Sequence, residues 1–282
     1  MEKQFTVVVN NEGQHSVWNV EKEIPSGWKS TGFTGLKNEC LDNIQSEWKD
    51  IRPASLIAKM NETQTIKFTQ DESIQKHEEM METYRKRYAY DLDSWSNYDY
   101  LKDCIKRFFT KFVDPEDRSV FEVGVGSGIS SEFILKSDFQ LTGIDVIEHK
   151  NWPTLKVTYG EQFQPFVGDI LKVTNDSKYD IILDNGCFHH FQPEVYTATF
   201  DSVKSLMKDE GKFFLAVFEE PDSTKDEGQV SYLDGGKRRC KFFTEAEIEA
   251  LLNKNGFVLE DTDRVSRSFD NVQTLLCICK KK

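Results

Sequence analysis

Apolar and polar positions change rhythm along this chain, and each rhythm predicts a different architecture. Phe5-Thr6-Val7-Val8-Val9-Asn10 and Gln14-His15-Ser16-Val17-Trp18 are short apolar runs parted by Asn10-Asn11-Glu12-Gly13. Such runs around an Asn/Gly turn predict an antiparallel hairpin, and a third short strand follows Trp28. Asn38 is placed to cap a helix from about Glu39 to Trp48, with Cys40, Leu41, Ile44 and Trp48 on one face. Leu56 to Asp71 is polar and without period, and reads as a linker. From about Ser73 the spacing of Ile74, His77, Met80, Met81 and Tyr84 is helical, and a second helix spans about Tyr98 to Phe112, before Pro115.

Beyond Pro115 strands and helices alternate. Strands are expected at Val120–Val123, Gln140–Asp145, Phe163–Val167, Tyr179–Leu183 and Lys212–Phe218, and helices at Ile129–Lys136, Tyr196–Met207 and Glu245–Asn253. Phe257–Asp261 and Val272–Cys279 follow as an antiparallel hairpin. Alternation of this kind predicts an α/β fold, a parallel sheet covered by helices with the hairpin at one edge. The domains are then 1–60 and 73–282, with 61–72 between them.

Charge and cysteine content narrow the function classes. The net charge is −12, yet residues 1–60 hold 7 Lys/Arg against 8 Asp/Glu, so almost all of the excess lies in the second part. An acidic body argues against nucleic acid as partner, since phosphate contacts need a basic face. No apolar run approaches the roughly 20 residues that span a bilayer. Met1-Glu2-Lys3-Gln4 does not open a signal peptide. The six cysteines form no Cys-x-x-Cys pair, and a cytoplasmic protein with reduced thiols is expected.

The first block carries a set of short motifs: Asn11-Glu12-Gly13-Gln14-His15-Ser16-Val17-Trp18, Pro25-Ser26-Gly27-Trp28, Gly32-Phe33-Thr34-Gly35, Cys40-Leu41-Asp42-Asn43-Ile44 and Trp48 through Leu56. Together they resemble the MbtH-like family, small proteins that bind and activate the adenylation domains of nonribosomal peptide synthetases (NRPS). The resemblance spans nearly the whole family length. It implies a small α+β domain, a three-stranded antiparallel sheet plus helix, with no chemistry of its own. It also implies that Trp18 and Trp28 grip an alanine side chain of the adenylation domain, with Ser16 and Val17 alongside. The alternative is that these tryptophans are core, as Trp48 is expected to be. Asn19 stands where the family usually has proline, and Lys49 where threonine is usual.

In the second block, Glu122-Val123-Gly124-Val125-Gly126-Ser127-Gly128 follows a buried strand and opens a helix. Glycines allow a sharp turn there and leave room for a ligand. The dinucleotide fingerprint needs its third glycine one residue later, where Ile129 stands, which disfavours a nicotinamide oxidoreductase. Asp145, Asp169-Ile170 and Asp184 close the next three strands, and sites in such sheets lie at the carboxyl ends of the strands. This series resembles class I S-adenosylmethionine-dependent methyltransferases, from about residue 75 to the end. The resemblance implies a Rossmann-like, seven-stranded domain with S-adenosyl-L-methionine as cofactor. It places the methionine portion at Glu122, Gly124, Gly126 and Gly128, the ribose at Asp145, and the adenine at Asp169 and Ile170. Asp184 is taken with them as cofactor-binding.

Asp184-Asn185-Gly186-Cys187-Phe188-His189-His190 resembles the Asp-x-Gly-x-Phe-His-His pattern of thiopurine and small-molecule methyltransferases, which often carry Arg where Asn185 stands. His189 and His190 are candidate catalytic bases toward a small-molecule acceptor. The alternative is that one of them packs and holds the loop. No metal site is expected, since adjacent histidines point differently and no matching Cys/His pair is visible. Tyr84-Arg85-Lys86-Arg87-Tyr88 and Trp95-Ser96-Asn97-Tyr98 belong to helices that, by the resemblance, fold over the site, or else present a solvated face. Lys237-Arg238-Arg239 reads as a surface loop, or as a substrate-facing one. The combined reading is an MbtH-like activator fused to a methyltransferase that tailors a precursor or product of nonribosomal peptide synthesis. The rival is a scaffold protein whose second domain is not catalytic.

Overall fold

The computed structural model describes residues 3–47, 70–93, 99–114, 116–173, 177–222, 224–233, 238–267 and 272–282. Trp48 and the motif running to Leu56, most of the linker, Trp95 to Tyr98, Pro115 and Lys237 lie outside the described residues, as does the side chain of Ile74. The chain divides into two compact units, residues 1–66 and 67–282.

The first unit is a three-stranded antiparallel sheet in the order β2-β1-β3, from β1 (Phe5–Asn10), β2 (His15–Asn19) and β3 (Trp28–Gly35), with helix α1 (Lys37–Glu47). The Asn10 carboxamide holds the expected turn by accepting from Glu12 N and Gln14 N, both at 2.9 Å, and Gly13 supplies a φ of 73°. The helix begins earlier than expected. Asn38 lies inside it rather than at its cap, and the carboxylate of Glu39 reaches back to Leu36 N at 2.7 Å. Cys40 is fully buried and Ile44 half-buried, whereas Leu41 is 47% exposed, so it leaves the expected buried face.

The second unit is an α/β sandwich. Its main sheet runs β11-β12-β8-β7-β4-β5-β6, from β4 (Ser119–Val123), β5 (Gln140–Asp145), β6 (Phe163–Val167), β7 (Tyr179–Asn185), β8 (Met207–Glu219), β11 (Phe257–Ser266) and β12 (Gln273–Lys281). The core strands β6 to β8 pair in parallel, while β12 is antiparallel to both its neighbours, so the hairpin tucks its second strand inside and leaves β11 at the edge. Alternate residues of β8 serve opposite faces. Phe213, Leu215 and Val217 join one core with Phe200, Leu206, Ile248 and Leu252; Phe214 and Ala216 join another with Ile105, Phe108 and Ile134. The first core is closed by α2 (Gln70–Ala89), α6 (Tyr196–Leu206) and α7 (Glu245–Lys254), the second by α3 (Asp99–Phe112) and α4 (Ile129–Lys136).

One helix and a two-stranded ribbon had no sequence forecast. Helix α5 (Trp152–Tyr159) fills the crossover between β5 and β6. A ribbon, β9 (Val230–Leu233) and β10 (Arg238–Phe243), joins the sheet where β10 pairs with the end of β8. Arg238 and Arg239 therefore lie on a strand rather than in a surface loop, and Arg239 is only 5% exposed. All six cysteines are free thiols. Among the described residues no helix is long and apolar enough to cross a membrane.

Candidate functional site

In the second unit the carboxyl ends of β4 to β8 open into one cavity with an empty volume of about 1460 Å³, counting its mouth. Helix α2 forms one wall with His77, Met80, Met81, Tyr84 and Tyr88, so its apolar face covers the strand ends.

The turn after β4 is shaped by three left-handed glycines, Gly124 (φ 78°), Gly126 (φ 52°) and Gly128 (φ 86°). A Cβ on Gly124 would lie 1.9 Å from Cys187 Sγ, so backbone and loop meet there in a way only glycine permits. The peptides around Gly126 are clamped: its N–H donates to Asp145 Oδ2 at 2.7 Å and its carbonyl accepts from Trp152 Nε1 at 2.9 Å. Asp145 Oδ1 accepts from Val146 N at 2.6 Å. Burial raises the Asp145 carboxyl to about 6, against the pull of the amides of Gly126 and Val146. Glu122 sits deeper. Its Oε2 accepts from the Ser131 hydroxyl at 2.5 Å, and burial pushes its carboxyl up to about 8.

Asp169 and Ile170 also line the cavity. Asp169 Oδ1 lies 3.3 Å from His77 Nε2 and accepts from Leu171 N at 3.0 Å. Burial acts to raise this carboxyl, but the His77 contact and the Leu171 amide outweigh it and hold it below its ordinary value. His77 thus ties the covering helix to the end of the third strand.

Asp184 behaves differently from the other strand-end acids. It does not line the cavity, and its Oδ1 accepts from Gly186 N, Cys187 N and Phe188 N at 3.1, 2.7 and 3.2 Å. This oxygen shapes the loop that follows the strand. Asn185 is the residue of this strand end that faces the cavity. Its amide nitrogen donates to Leu101 O at 3.0 Å and Ser130 Oγ at 2.9 Å, while its Oδ1 is buried without a partner among the described residues.

The loop so formed presents both histidines. The His189 ring stacks on Phe218 with centroids 3.9 Å apart, and the two histidine rings are 4.2 Å apart. His190 Nδ1 donates to the Arg239 carbonyl at 2.6 Å, which leaves Nε2 as the acceptor of a neutral imidazole. Burial depresses the proton affinity of both rings, His190 to about 3, and the guanidiniums of Arg238 and Arg267 depress it further. Both are neutral near pH 7. Arg239 fixes the ribbon to this loop by donating to Phe191 O at 2.8 Å and Tyr196 Oη at 2.9 Å.

Three residues at this end escaped sequence reasoning: Phe218, Cys240 and Arg267 all line the cavity. Cys240, His189 and His190 offer ligand atoms all within 4.8 Å of one another, a cluster the sequence does not pair. The nearby guanidiniums oppose a cation there. In the covering helix, Arg85 Nε donates to Val146 O at 3.0 Å and Tyr84 is half-buried, whereas Lys86 is exposed, so this segment is part wall and part solvated face.

In the first unit the register sets Trp18 opposite Thr6, Ser16 opposite Val8 and Trp28 opposite Asn10. Period-two alternation puts Ser16, Trp18 and Trp28 on one face of the sheet, and the 2.9 Å contact between Thr6 and Ser30 hydroxyls lies on that face too. Val17 pairs with Val7 on the other face. Both tryptophans are half-buried, and Trp18 Nε1 donates to Glu23 O at 3.2 Å.

Comparison with known proteins fits both units. A family model described as a methyltransferase domain matches residues 92–262, more than half of the chain. The chain belongs to the methyltransferase family. A second model, MbtH-like protein, matches residues 1–60, so the methyltransferase is fused behind an MbtH-like domain. Among solved structures, the 1,6-didemethyltoxoflavin-N1-methyltransferase of Burkholderia thailandensis, with bound 1,6-didemethyltoxoflavin and S-adenosylhomocysteine, is 22% identical. Its TM-score is 0.69, covering 74% of this chain and 90% of its own. DhpI, solved as a complex with S-adenosylhomocysteine, is 18% identical with a TM-score of 0.55, covering 72% and 96%. The glycopeptide N-methyltransferase MtfA, complexed with S-adenosyl-L-methionine, is 13% identical with a TM-score of 0.53, covering 66% and 96%. At these identities the likeness is one of fold.

Proposed function

We propose that the second domain transfers a methyl group from S-adenosyl-L-methionine to a small molecule, and that the MbtH-like domain binds an NRPS adenylation domain in the pathway which makes or uses that molecule. The observation that carries the enzymatic half is the clamped turn: three left-handed glycines and the buried Asp145 beside them on the wall of one cavity. The residues present fit the cofactor. Glu122 and Asp145 offer carboxylates to an ammonium and a ribose, and the unpartnered Oδ1 of Asn185 offers an acceptor to a further N–H. Asp169 and Ile170 would bracket the adenine.

S-adenosylmethionine, when bound, supplies a methyl group on a sulfonium. The chain's own residues position the reactants and exclude water. Helix α2 covers the strand ends with Met80, Met81 and Tyr84, a wall that limits solvent. His190, neutral and with Nδ1 committed to Arg239 O, has only Nε2 with which to accept a hydrogen bond from the acceptor. His189, stacked on Phe218, shapes that end of the site. Alignment of donor and acceptor can supply much of the rate, so neither histidine need take the proton completely.

For the first domain, Ser16, Val17, Trp18 and Trp28 are proposed to form the partner contact, Trp18 and Trp28 as the anchors. Flat, half-exposed aromatics suit that role because they bury much area at small entropic cost. The domains are taken as 1–60 and 73–282 with 61–72 as tether, and joining them on one chain raises the local concentration of the enzyme beside the synthetase. Calorimetric titration with S-adenosylhomocysteine and with NADH tests the enzymatic half. Binding of NADH alone, or of neither, would overturn it. Recovery of an adenylation domain on the immobilised chain, raised in activity by it, tests the other half.

A further inference from the structure

At the histidine end of the cavity three metal-ligating side chains converge. His189, His190 and Cys240 each bring one donor atom, a ring nitrogen or the thiol sulfur, and these atoms lie within 4.8 Å of one another. All three line the cavity, and His189 and Cys240 are only 1% and 4% exposed. Two further observations point to a ligand. Both ring nitrogens of His189 are buried without a hydrogen-bond partner; the Ala216 carbonyl favours a proton on this ring but does not complete a bond to it. A buried polar atom left in that state is costly, and a bond to a ligand removes the cost. His190 supplies the second observation. Its Nδ1 donates to the Arg239 carbonyl at 2.6 Å, which fixes the ring with the lone pair on Nε2. A carbonyl holding the far N–H of an imidazole is the arrangement that orients metal-bound histidines. Arg239 directly precedes Cys240 on β10, so the strand that orients the ring also delivers the thiol.

We infer that His189, His190 and Cys240 form a binding site for a soft monovalent metal ion, cuprous copper, and that its occupation closes the acceptor end of the cavity. The second half rests on the proposed methyltransferase reading. Imidazole and thiolate suit soft or borderline metals, whereas magnesium and calcium take oxygen. Charge then chooses among the soft ions. Arg238 and Arg267 place positive charge beside both rings. A divalent ion bound by one thiolate keeps a net positive charge, but a cuprous ion and a thiolate sum to zero. The repulsion that opposes zinc therefore does not oppose copper. Coordination exchanges a proton without electron transfer: the thiol proton goes to buffer, sulfur and two nitrogens bond the ion, and copper stays cuprous. At bond lengths of about 2.0–2.3 Å a trigonal ion holds its donors roughly 3.5–4 Å apart, so closure by no more than about 1.3 Å completes the site. The ion takes the His190 Nε2 that is proposed to face the acceptor, so metal and acceptor exclude each other. The glycine turn, on other elements, is left to the cofactor.

The test titrates the full chain, reduced and under argon, with cuprous ion held by bicinchoninate, whose coloured complex fades as the protein takes the metal. One ion per chain should be withdrawn from the chelator. Cys240→Ser should weaken binding at least about a hundredfold and His190→Gln at least about tenfold. Cys187→Ser, which removes a cavity thiol outside the cluster, should change it less than about twofold. Melting curves without metal establish that each variant is folded. X-ray absorption of the loaded chain should show one sulfur and two nitrogens around copper; two or more sulfurs would place the ion on other cysteines and overturn the inference. Zinc, titrated separately, should bind at least about tenfold more weakly. S-adenosylhomocysteine affinity should stay within about twofold with copper bound, and its displacement would refute the placement at the acceptor end. No uptake from the chelator, unchanged affinity in Cys240→Ser, or zinc binding as tight as copper would each overturn the inference. If the unaltered chain binds no S-adenosylhomocysteine, the cofactor reading fails by itself, and the copper titration and absorption spectrum still decide the metal site.

Discussion

Binding of S-adenosylhomocysteine should expel close to one proton at pH 7, most of it from Glu122. Burial holds that carboxyl at about 8 and Asp145 at about 6. At pH 7 a group of pKa 8 is about nine-tenths protonated, and one of pKa 6 about one-tenth. The ligand brings an ammonium, and a cation beside a carboxyl stabilises its ionised form, so the pKa falls and the proton leaves. If the bound-state value of Glu122 drops below about 6, release at pH 7 is about 0.9 proton from Glu122 and about 0.1 from Asp145. The sign fixes the pH dependence: affinity rises with pH, about fivefold from pH 7 to pH 8, and flattens above the Glu122 value. Titration at pH 7 in phosphate and in Tris reads the number directly, as the slope of observed heat against buffer ionisation heat. Glu122→Gln should lower that slope to about 0.1. Equal heats in the two buffers would refute the argument, as would a slope of about one that survives the substitution.

Three further outcomes are expected. Asp145→Asn should weaken S-adenosylhomocysteine binding at least about tenfold with an unchanged circular dichroism spectrum, because the amide retains one acceptor for the clamped turn but loses the charge; wild-type affinity would exclude Asp145 as the ribose ligand. Asp184→Ala should lower the melting temperature by several degrees and speed amide exchange at residues 186–188, since three backbone donors lose their acceptor at about 1–3 kcal/mol each before relaxation; unchanged stability would mean the loop is held otherwise. Trp28→Ala should reduce adenylation-domain affinity roughly thirtyfold while methyl transfer and the folded spectrum persist; an unfolded first domain would instead make Trp28 a core residue.

What could be read from the sequence was what short-range rules control. A glycine turn after a buried strand demands positive φ, and the residues at 124, 126 and 128 adopt it. The alternation of β8 and the spacing of α2 follow from burial on two faces and on one. The loop contacts of Asp184 have a local reason that the sequence reading did not weigh: a strand-end aspartate followed by Asn-Gly can turn its oxygen to the amides just ahead, and here it does. Leu41 broke the helical face because that helix starts at Lys37 and only Cys40 and Ile44 are covered among its described apolar side chains. Arg239, Cys240 and Arg267 were out of reach for a different reason. The ribbon at Arg238–Phe243 brings Arg239 to Phe191, 48 positions earlier, and no periodicity encodes that meeting.

The same buried groups that look costly when the chain is viewed alone have a consistent sense once both reactants are considered. Glu122 and Asp145 are held away from their ordinary ionisation by burial, as His189 and His190 are, in the opposite charge sense. At the glycine turn that desolvation cost is one a bound cation can offset, because a positive charge beside Glu122 and Asp145 favours their ionised forms. The neutral state of the two histidines suits a different task, since His190 then keeps Nε2 as an acceptor toward the cavity.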